Sequence, residues 1–296
     1  MTGHTPTWIS SAAACSEPLA NFIPSLSFVA SVDTRELLRT ALDFERTWVE
    51  IGAEIRKTSY GAVIRDLRYP LIHVANLAWI ERLPRRGIEE VLADLDAAFE
   101  GTGVGHRNII FEDAQTAFEN QEAFAAHGFR PLADLTMARV GLPACIANPD
   151  LATREVGSDA PEDDYRRLRM RLFAGLGYGE EEARQLYALS RDRGRVVGLR
   201  TFVGYHGDRP AGTISLWARG RFGFVSDVAT MPEFRNKGIA RTMLFDISKR
   251  AINAGCEYSL LFTDLLESPQ VMYKTLGYQP VGEVRSFLRV ASPASA

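Results

Sequence analysis

Residues 222–250 read FGFVSDVATMPEFRNKGIARTMLFDISKR. The opening run, Phe222 to Thr230, is apolar and β-prone, with Val225 and Val228 inside it. Met231-Pro232-Glu233-Phe234 turns the chain, because proline lacks the N–H that a ladder needs. Beyond it, Ile239, Met243, Leu244, Ile247 and Ala251 recur at helical spacing. Between strand and helix stands Arg235-Asn236-Lys237-Gly238-Ile239-Ala240. A glycine opening a helix lets a ligand approach bare backbone. The first-turn amides of that helix lack helical partners and carry partial positive charge. Arg235, Lys237 and Arg241 add full charges. This combination predicts a binding site for a phosphate or diphosphate.

The order Arg-x-x-Gly-x-Ala over residues 235–240 resembles the acyl-CoA pyrophosphate loop of the GNAT acetyltransferase superfamily. The strand ending Val228-Ala229-Thr230, the Pro-Glu-Phe turn and the helix behind it strengthen the resemblance. A second motif lies downstream. Tyr273-Lys274-Thr275-Leu276-Gly277-Tyr278 is similar to that family's Tyr-x-x-x-Gly-aromatic element.

Composition narrows the classes. The 296 residues suit two domains of ordinary size, and 46% hydrophobic against 24% charged residues lets each half bury a core. A formal net charge of −3 argues against binding nucleic acid by bulk electrostatics. Cys15, Cys145 and Cys256 are far apart and odd in number, so neither a disulfide framework nor a zinc site is expected. The opening stretch lacks a basic start and a long apolar run, which predicts no signal peptide, and no stretch is apolar enough to span a membrane. The expected setting is the cytoplasm.

Along the chain, residues 1–25 read as a flexible tail. Helical faces follow at Leu37–Ile51 and Ile88–Phe99, with Asp33 as the expected N-cap of the first. Leu71 to Ile80 reads as one strand carrying His73 as a satisfied core histidine. Gly141 to about Asp150 reads as a linker. In the second half, Pro161 to Phe173 is a helix whose Arg166, Arg167, Arg169 and Arg171 form a solvated face or, alternatively, help recognise an acidic acceptor, and Gly207-Asp208 turns a hairpin. The expected division is a degenerate GNAT-like domain at 26–142, a linker at 143–152 and a catalytic GNAT domain at 153–291.

That division rests on an internal repeat. Gly87 opens a helix and Asp113 ends the next strand, 113 − 87 = 26 residues on; Gly238 and Asp264 give 264 − 238 = 26. Each is followed by a helix and then by Gly-aromatic-x-Pro: Gly128-Phe129-Arg130-Pro131 and Gly277-Tyr278-Gln279-Pro280. The expected fold class is therefore α/β, two tandem GNAT-like folds with mixed, mainly antiparallel sheets flanked by helices. In the first half Pro84 stands where Arg235 stands in the second, and Glu89 stands where Ala240 does. Two like charges about 4 Å apart repel by roughly 4 kcal/mol at an effective dielectric near 20. Helix-end attraction of about 0.3–1 kcal/mol does not offset that. The first-half loop is thus unsuited to a diphosphate.

The resemblance implies transfer of an acetyl group from acetyl-CoA to an amine. The cofactor-binding residues it implies are Val228, Ala229, Thr230, Arg235, Asn236, Lys237, Gly238, Ile239, Ala240 and Arg241. A backbone N–H around Val228 to Thr230 would stabilise the oxyanion. Tyr273 matches the family's acid tyrosine and would protonate the leaving thiolate; Phe124 holds the equivalent place in the first half. Asp227 is the candidate base, with a solvated strand residue or a lysine partner as alternatives, and Ser226 could instead position a water. The expected acceptor is a small-molecule or peptide amine, with no nucleic acid, membrane or metal involved, on a monomer or homodimer. Alternative readings are another acyl-CoA, a hydroxyl or thiol acceptor, or a CoA-binding sensor without turnover.

Overall fold

A computed structural model describes residues 33–144, 147–265 and 269–290. The expected tail at 1–25 lies outside the described residues, as do Cys15 and Cys145. The first half runs α1 (Thr34–Glu50), β1 (Glu54–Lys57), β2 (Gly61–Arg65), β3 (Asn76–Ile80), α2 (Ile88–Phe99), β4 (His106–Phe111), α3 (Ala114–Glu119), α4 (Gln121–Ala126) and β5 (Arg130–Val140). The second runs β6 (Leu151–Glu155), α5 (Glu162–Gly175), α6 (Glu180–Val197), β7 (Arg200–His206), β8 (Arg209–Arg219), β9 (Phe222–Thr230), α7 (Ile239–Asn253), β10 (Tyr258–Asp264), α8 (Pro269–Thr275) and β11 (Gln279–Val290). The architecture is mixed α/β with mainly antiparallel sheets, as the periodicities predict.

The chain forms two compact units, and they do not part at 143–152 as the sequence suggests. Among the described residues, the first unit holds 42–134, 184–193 and 283–290, and the second holds 33–41, 135–183 and 194–282. In the first unit the strand order is β1-β2-β3-β4-β11, with β3 and β4 parallel and the other pairs antiparallel. In the second it is β6-β7-β8-β9-β10-β5, with β9 and β10 parallel and β6 through β9 antiparallel. Each half's closing strand therefore serves the other half's sheet. β11 pairs with β4 from Arg285↔Phe111 to Val290↔His106, and β5 lies beside β10. Both closing strands follow the same Gly-aromatic-x-Pro motif, so each offers similar backbone to an open sheet edge. Sequence periodicity does not say which edge a strand joins.

The first unit has a continuous apolar core that includes Tyr60, Val63, Ile88, Val91, Leu95, Ile109, Phe111, Phe124 and Phe287. The stretch expected as one strand at 71–80 is instead a short 3-10 turn, His73–Ala75, followed by β3. Asn76 causes the break. Its buried amide donates to the Tyr69 carbonyl at 2.9 Å and accepts from the Asp66 N–H at 3.0 Å, folding the chain back. In the second unit α7 packs tightly on the sheet. A side-chain carbon at Gly204 would lie 2.6 Å from the Met243 sulfur, and one at Gly212 would lie 3.1 Å from the Ile239 Cγ2 and 3.3 Å from the Met243 sulfur. Those two glycines let the helix approach, which fixes its N-terminus just past the end of β9.

Candidate active site

β9 and β10 begin as a parallel pair and then separate. Their register covers Tyr258↔Phe222, Ser259↔Gly223 and Leu260↔Phe224, whereas β9 continues to Thr230 and β10 to Asp264. On its other edge β9 stays with β8 as far as Gly212↔Thr230, and the Met231 N–H donates to the Ala211 carbonyl at 2.8 Å. Successive N–H groups of a strand alternate in direction. With Met231 and Ala229 turned toward β8, the N–H groups of Val228 and Thr230 are directed away from β8, to the side where β10 has parted.

The strand is irregular at the same place. Thr213 pairs with Ala229 and Ser215 with Ser226, so one β8 residue, Ile214, faces two on β9, Asp227 and Val228. This is a β-bulge. Asp227 lies in the left-handed region at φ 55°, one of two non-glycine residues with positive φ among the described residues; the other is Asn236, in the loop itself. Aspartate and asparagine tolerate that region better than most residues.

Asp227 is neither solvated nor paired with a lysine. It is 8% exposed, its Oδ1 lies 2.9 Å from Nη2 of Arg169, and its Oδ2 accepts from the Ser215 hydroxyl at 3.1 Å. Ser215 in turn shares a 3.2 Å hydrogen bond with Thr201. Arg169 corrects the expectation of a solvated basic face on α5. Arg166, Arg167 and Arg171 are exposed, but Arg169 is 0% exposed, with its guanidinium carbon 4.5 Å from the Phe173 ring centroid. Burial alone would push this guanidinium down; the Asp227 carboxylate, helped by Tyr165, outweighs it and holds the charge. The contact is an ion pair rather than an aligned hydrogen bond, and Nε and Nη1 have no hydrogen-bond partner among the described residues. Helical spacing alone signals this only in part: Arg169 shares its helix face with Tyr165, Leu168, Leu172 and Phe173, all buried.

Past β9 the loop has the backbone geometry that an anion site requires. Asn236 and Gly238 have φ of 63° and 70°, and Gly238 is the N-cap of α7 without a side-chain cap. A side-chain carbon at Gly238 would meet nothing within 4 Å, so the space over the first-turn amides is open. The Thr242 N–H bonds back to the Gly238 carbonyl at 3.0 Å, which leaves the preceding amides of Ile239, Ala240 and Arg241 as the helix's positive end. Among the described residues Arg235, Lys237 and Arg241 make no ion pair, and the Lys237 ammonium lies 5.4 Å from the Phe234 ring centroid. Ile239 points into the core, 2% exposed. The expected linker supports this loop. Asn148 donates from its side chain to the Lys237 carbonyl and from its backbone N–H to the Thr242 hydroxyl, each at 2.8 Å. These features fit a diphosphate and a chain lying against β9.

Tyr273 is buried on α8, with its ring in edge contact with that of Tyr278 at 5.7 Å between centroids. The Tyr278 hydroxyl pairs with Ser259 at 2.7 Å. His206 lies at the end of β7 beside Phe234, outside this cluster.

The first unit contrasts at each point. β3 and β4 stay paired from Ala78↔Ile109 to Ile80↔Phe111, and the Glu112 N–H extends the ladder to the Ile80 carbonyl at 3.0 Å. The first turn of α2 carries its own carboxylates: Glu89 bonds His127 at 3.0 Å and Glu90 accepts from Ser59 at 2.6 Å. Phe124 is stacked on Phe287 at 4.3 Å within the core.

Known proteins place these features. The acetyltransferase (GNAT) family model matches residues 163–278. Among solved structures, the chain is similar to a functionally unknown conserved protein from Staphylococcus epidermidis ATCC 12228, at 14% identity over 82% of this chain and 96% of that one, with a TM-score of 0.66. It is similar to a GCN5-related N-acetyltransferase from Kribbella flavida at 13% identity over 88% and 97%, with a TM-score of 0.58. It is also similar to a tandem GNAT protein from the clavulanic acid biosynthesis pathway at 14% identity over 89% and 98%, with a TM-score of 0.52. Identities this low establish a shared fold. A search of the curated proteins found no match. No helix among the described residues is long and apolar enough to cross a membrane. The matched segment contains the parted strands, the bulge, the open helix end and Tyr273, and over this segment the chain is similar to the GNAT acetyltransferase family.

Proposed function

We propose that the second unit transfers an acetyl group from acetyl-CoA to a primary amine in a ternary complex. The observation that carries this reading is the parting of β9 from β10 directly beside the uncapped N-terminus of α7. The helix-end amides with Arg235, Lys237 and Arg241 would hold the diphosphate, and the edge of β9 would align the acyl arm. A free alkyl amine has a pKa near 10.4, so its neutral form costs about 4–5 kcal/mol to reach at neutral pH. That form makes the new N–C bond as the C–S bond breaks. The N–H groups of Val228 and Thr230 face the side where negative charge develops on the carbonyl oxygen. Tyr273 would supply a proton to the leaving sulfur, a phenol near 10 serving a thiol near 8.5. The amine's surplus proton leaves to solvent or to a base.

A second reading, a CoA-binding module without turnover, gains support from Asp227. Its carboxylate is engaged by Arg169 and Ser215, and a general base needs a lone pair free for the amine. One experiment separates the two. Purified full-length chain is titrated with acetyl-CoA by calorimetry, and release of free thiol is then followed with a panel of primary amines. Saturable binding with amine-dependent thiol release supports transfer. Binding without release from any amine supports the module.

A further inference from the structure

We propose that Arg169 is the positioning residue of this site: its ion pair with Asp227 holds the bulge of β9 and so aims the Val228 and Thr230 N–H groups into the space that β10 leaves. The proposal rests on the acyl-transfer reading above, but it concerns a device that can be observed without turnover.

The bulge needs holding. A non-glycine residue in the left-handed region is disfavoured, and it persists when its surroundings over-determine it. Asp227 is the extra residue on β9, and its carboxylate is gripped from two elements. Ser215, on β8 at the last regular pair before the register shifts, donates to Oδ2 at 3.1 Å. Arg169, on α5, meets Oδ1 at 2.9 Å. α5 packs on β8 and β7, so the helix reaches the bulge across the sheet face.

The burial of Arg169 shows what the guanidinium is for. A residue that only filled this space would be apolar, since a buried charge with incomplete hydrogen bonding is costly. Arg169 is wholly buried, finds no hydrogen-bond partner for Nε and Nη1 among the described residues, and lies against the Phe173 ring. Asp227 is its ion-pair partner among the described residues. The strong interaction of this side chain is thus made at the residue that displaces the strand. The two side chains are turned to each other, with the Asp227 carboxylate also held by Ser215, so both act through the backbone that follows them.

The test uses full-length chain with Arg169→Met, Asp227→Asn and the double variant. Methionine keeps most of the volume. Asparagine keeps tolerance of the left-handed region and an acceptor for Ser215. Either single change strands one buried charge, whereas the double change strands none. Two readouts are taken: steady-state kinetics, and the backbone amide resonances of Val228 and Thr230 in isotope-labelled protein.

In Arg169→Met we expect kcat to fall by about 100-fold, the loss typical of misplaced reacting groups, with a much smaller rise in KM for acetyl-CoA, because loop 235–241 is untouched and only the β9 edge that aligns the acyl arm is disturbed. The two amide resonances should shift. In the double variant both the resonances and most of kcat should return, and this arm serves if Arg169→Met alone does not fold. Full turnover with unshifted amides in Arg169→Met would overturn the proposal. A double variant with native amide resonances that stayed as inactive as Asp227→Asn would also overturn it, by making Asp227 the base itself. Wild-type protein that binds acetyl-CoA and acylates nothing would count against the transfer reading alone, and the amide resonances would still decide the role of Arg169.

Discussion

The side-chain amide of Asn148 donates to the backbone carbonyl of Lys237 at 2.8 Å, while its own carbonyl oxygen accepts from the Asp150 N–H at 2.8 Å. One residue thus stiffens the segment between the halves and pins the loop before Gly238. A hydrogen bond of this kind contributes about 0.5–1.5 kcal/mol. Asn148→Ala should therefore weaken acetyl-CoA binding by roughly 2- to 10-fold, on the usual conversion of 1.4 kcal/mol per decade. Calorimetry checks it, and unchanged affinity would show that the loop holds its shape alone.

Ala240 lies in the first turn of α7, where a carboxylate would oppose a diphosphate. Ala240→Glu reproduces the first-unit arrangement at Glu89. Repulsion of roughly 4 kcal/mol for charges about 4 Å apart corresponds to a loss of about 10³-fold in affinity. Competition with a CoA analogue at low and high salt would measure the loss and its screening.

Tyr273→Phe keeps the ring against Tyr278 and removes the phenol proton. We expect kcat to fall on the order of 10²-fold, as for a lost general acid, with acetyl-CoA affinity nearly unchanged. Unaltered turnover would leave Tyr273 as a packing residue of α8.

His73 and His106 stand with ring centroids 4.4 Å apart, and neither His73 Nδ1 nor His106 Nε2 has a hydrogen-bond partner among the described residues. The histidine expected to be a satisfied core residue is therefore not satisfied. Burial, with Arg130 adding to it, pushes His73 down to about 4. Burial, then the neighbouring His73 charge, pushes His106 down to about 3. Above about pH 7.5 both residues are almost wholly neutral in folded and unfolded chains, and the pair adds little pH dependence. As pH falls below 6.5, the unfolded chain takes up protons that the folded chain refuses, so stability declines until about pH 4 and below. For His73 alone the shift corresponds to on the order of 3 kcal/mol. Scanning calorimetry between pH 7 and 5 should show a falling melting temperature, and His106→Leu should flatten that fall. A flat wild-type profile over this range would refute it.

A fragment of residues 151–290 should not form a stable unit. It lacks β5, which lies beside β10, and it carries β11 without its partner β4. An open edge on one side and a stranded apolar strand on the other favour aggregation. Soluble expression and circular dichroism test this; a monomeric, cooperatively folded and active fragment would contradict it.

Local features were legible in the sequence because they depend on neighbours a few residues away. Strand, Pro-Glu-Phe turn and helix over 222–250 follow from periodicity and from the limits of proline, and the helix-opening Gly238 follows from its place in that order. The spacing of Tyr273 to Gly277, the hairpin at Gly207 and the repeat of 26 residues were equally readable. What required the tertiary structure depends on partners distant in the chain. Asp227 reads as any acidic strand residue until Arg169, 58 positions earlier (227 − 169 = 58), is seen buried against it. The bulge depends on the pairing register with β8, which strand propensity does not encode. The exchange of β5 and β11 depends on which sheet edge each strand meets, and two strands following the same motif present similar backbone to both. His73 and His106 are 33 residues apart (106 − 73 = 33) and become a pair only when β4 and the turn before β3 are packed together. Periodicity determined which elements form; long-range packing decided which of their side chains meet, because burial of charge and choice of strand edge are settled by the whole fold.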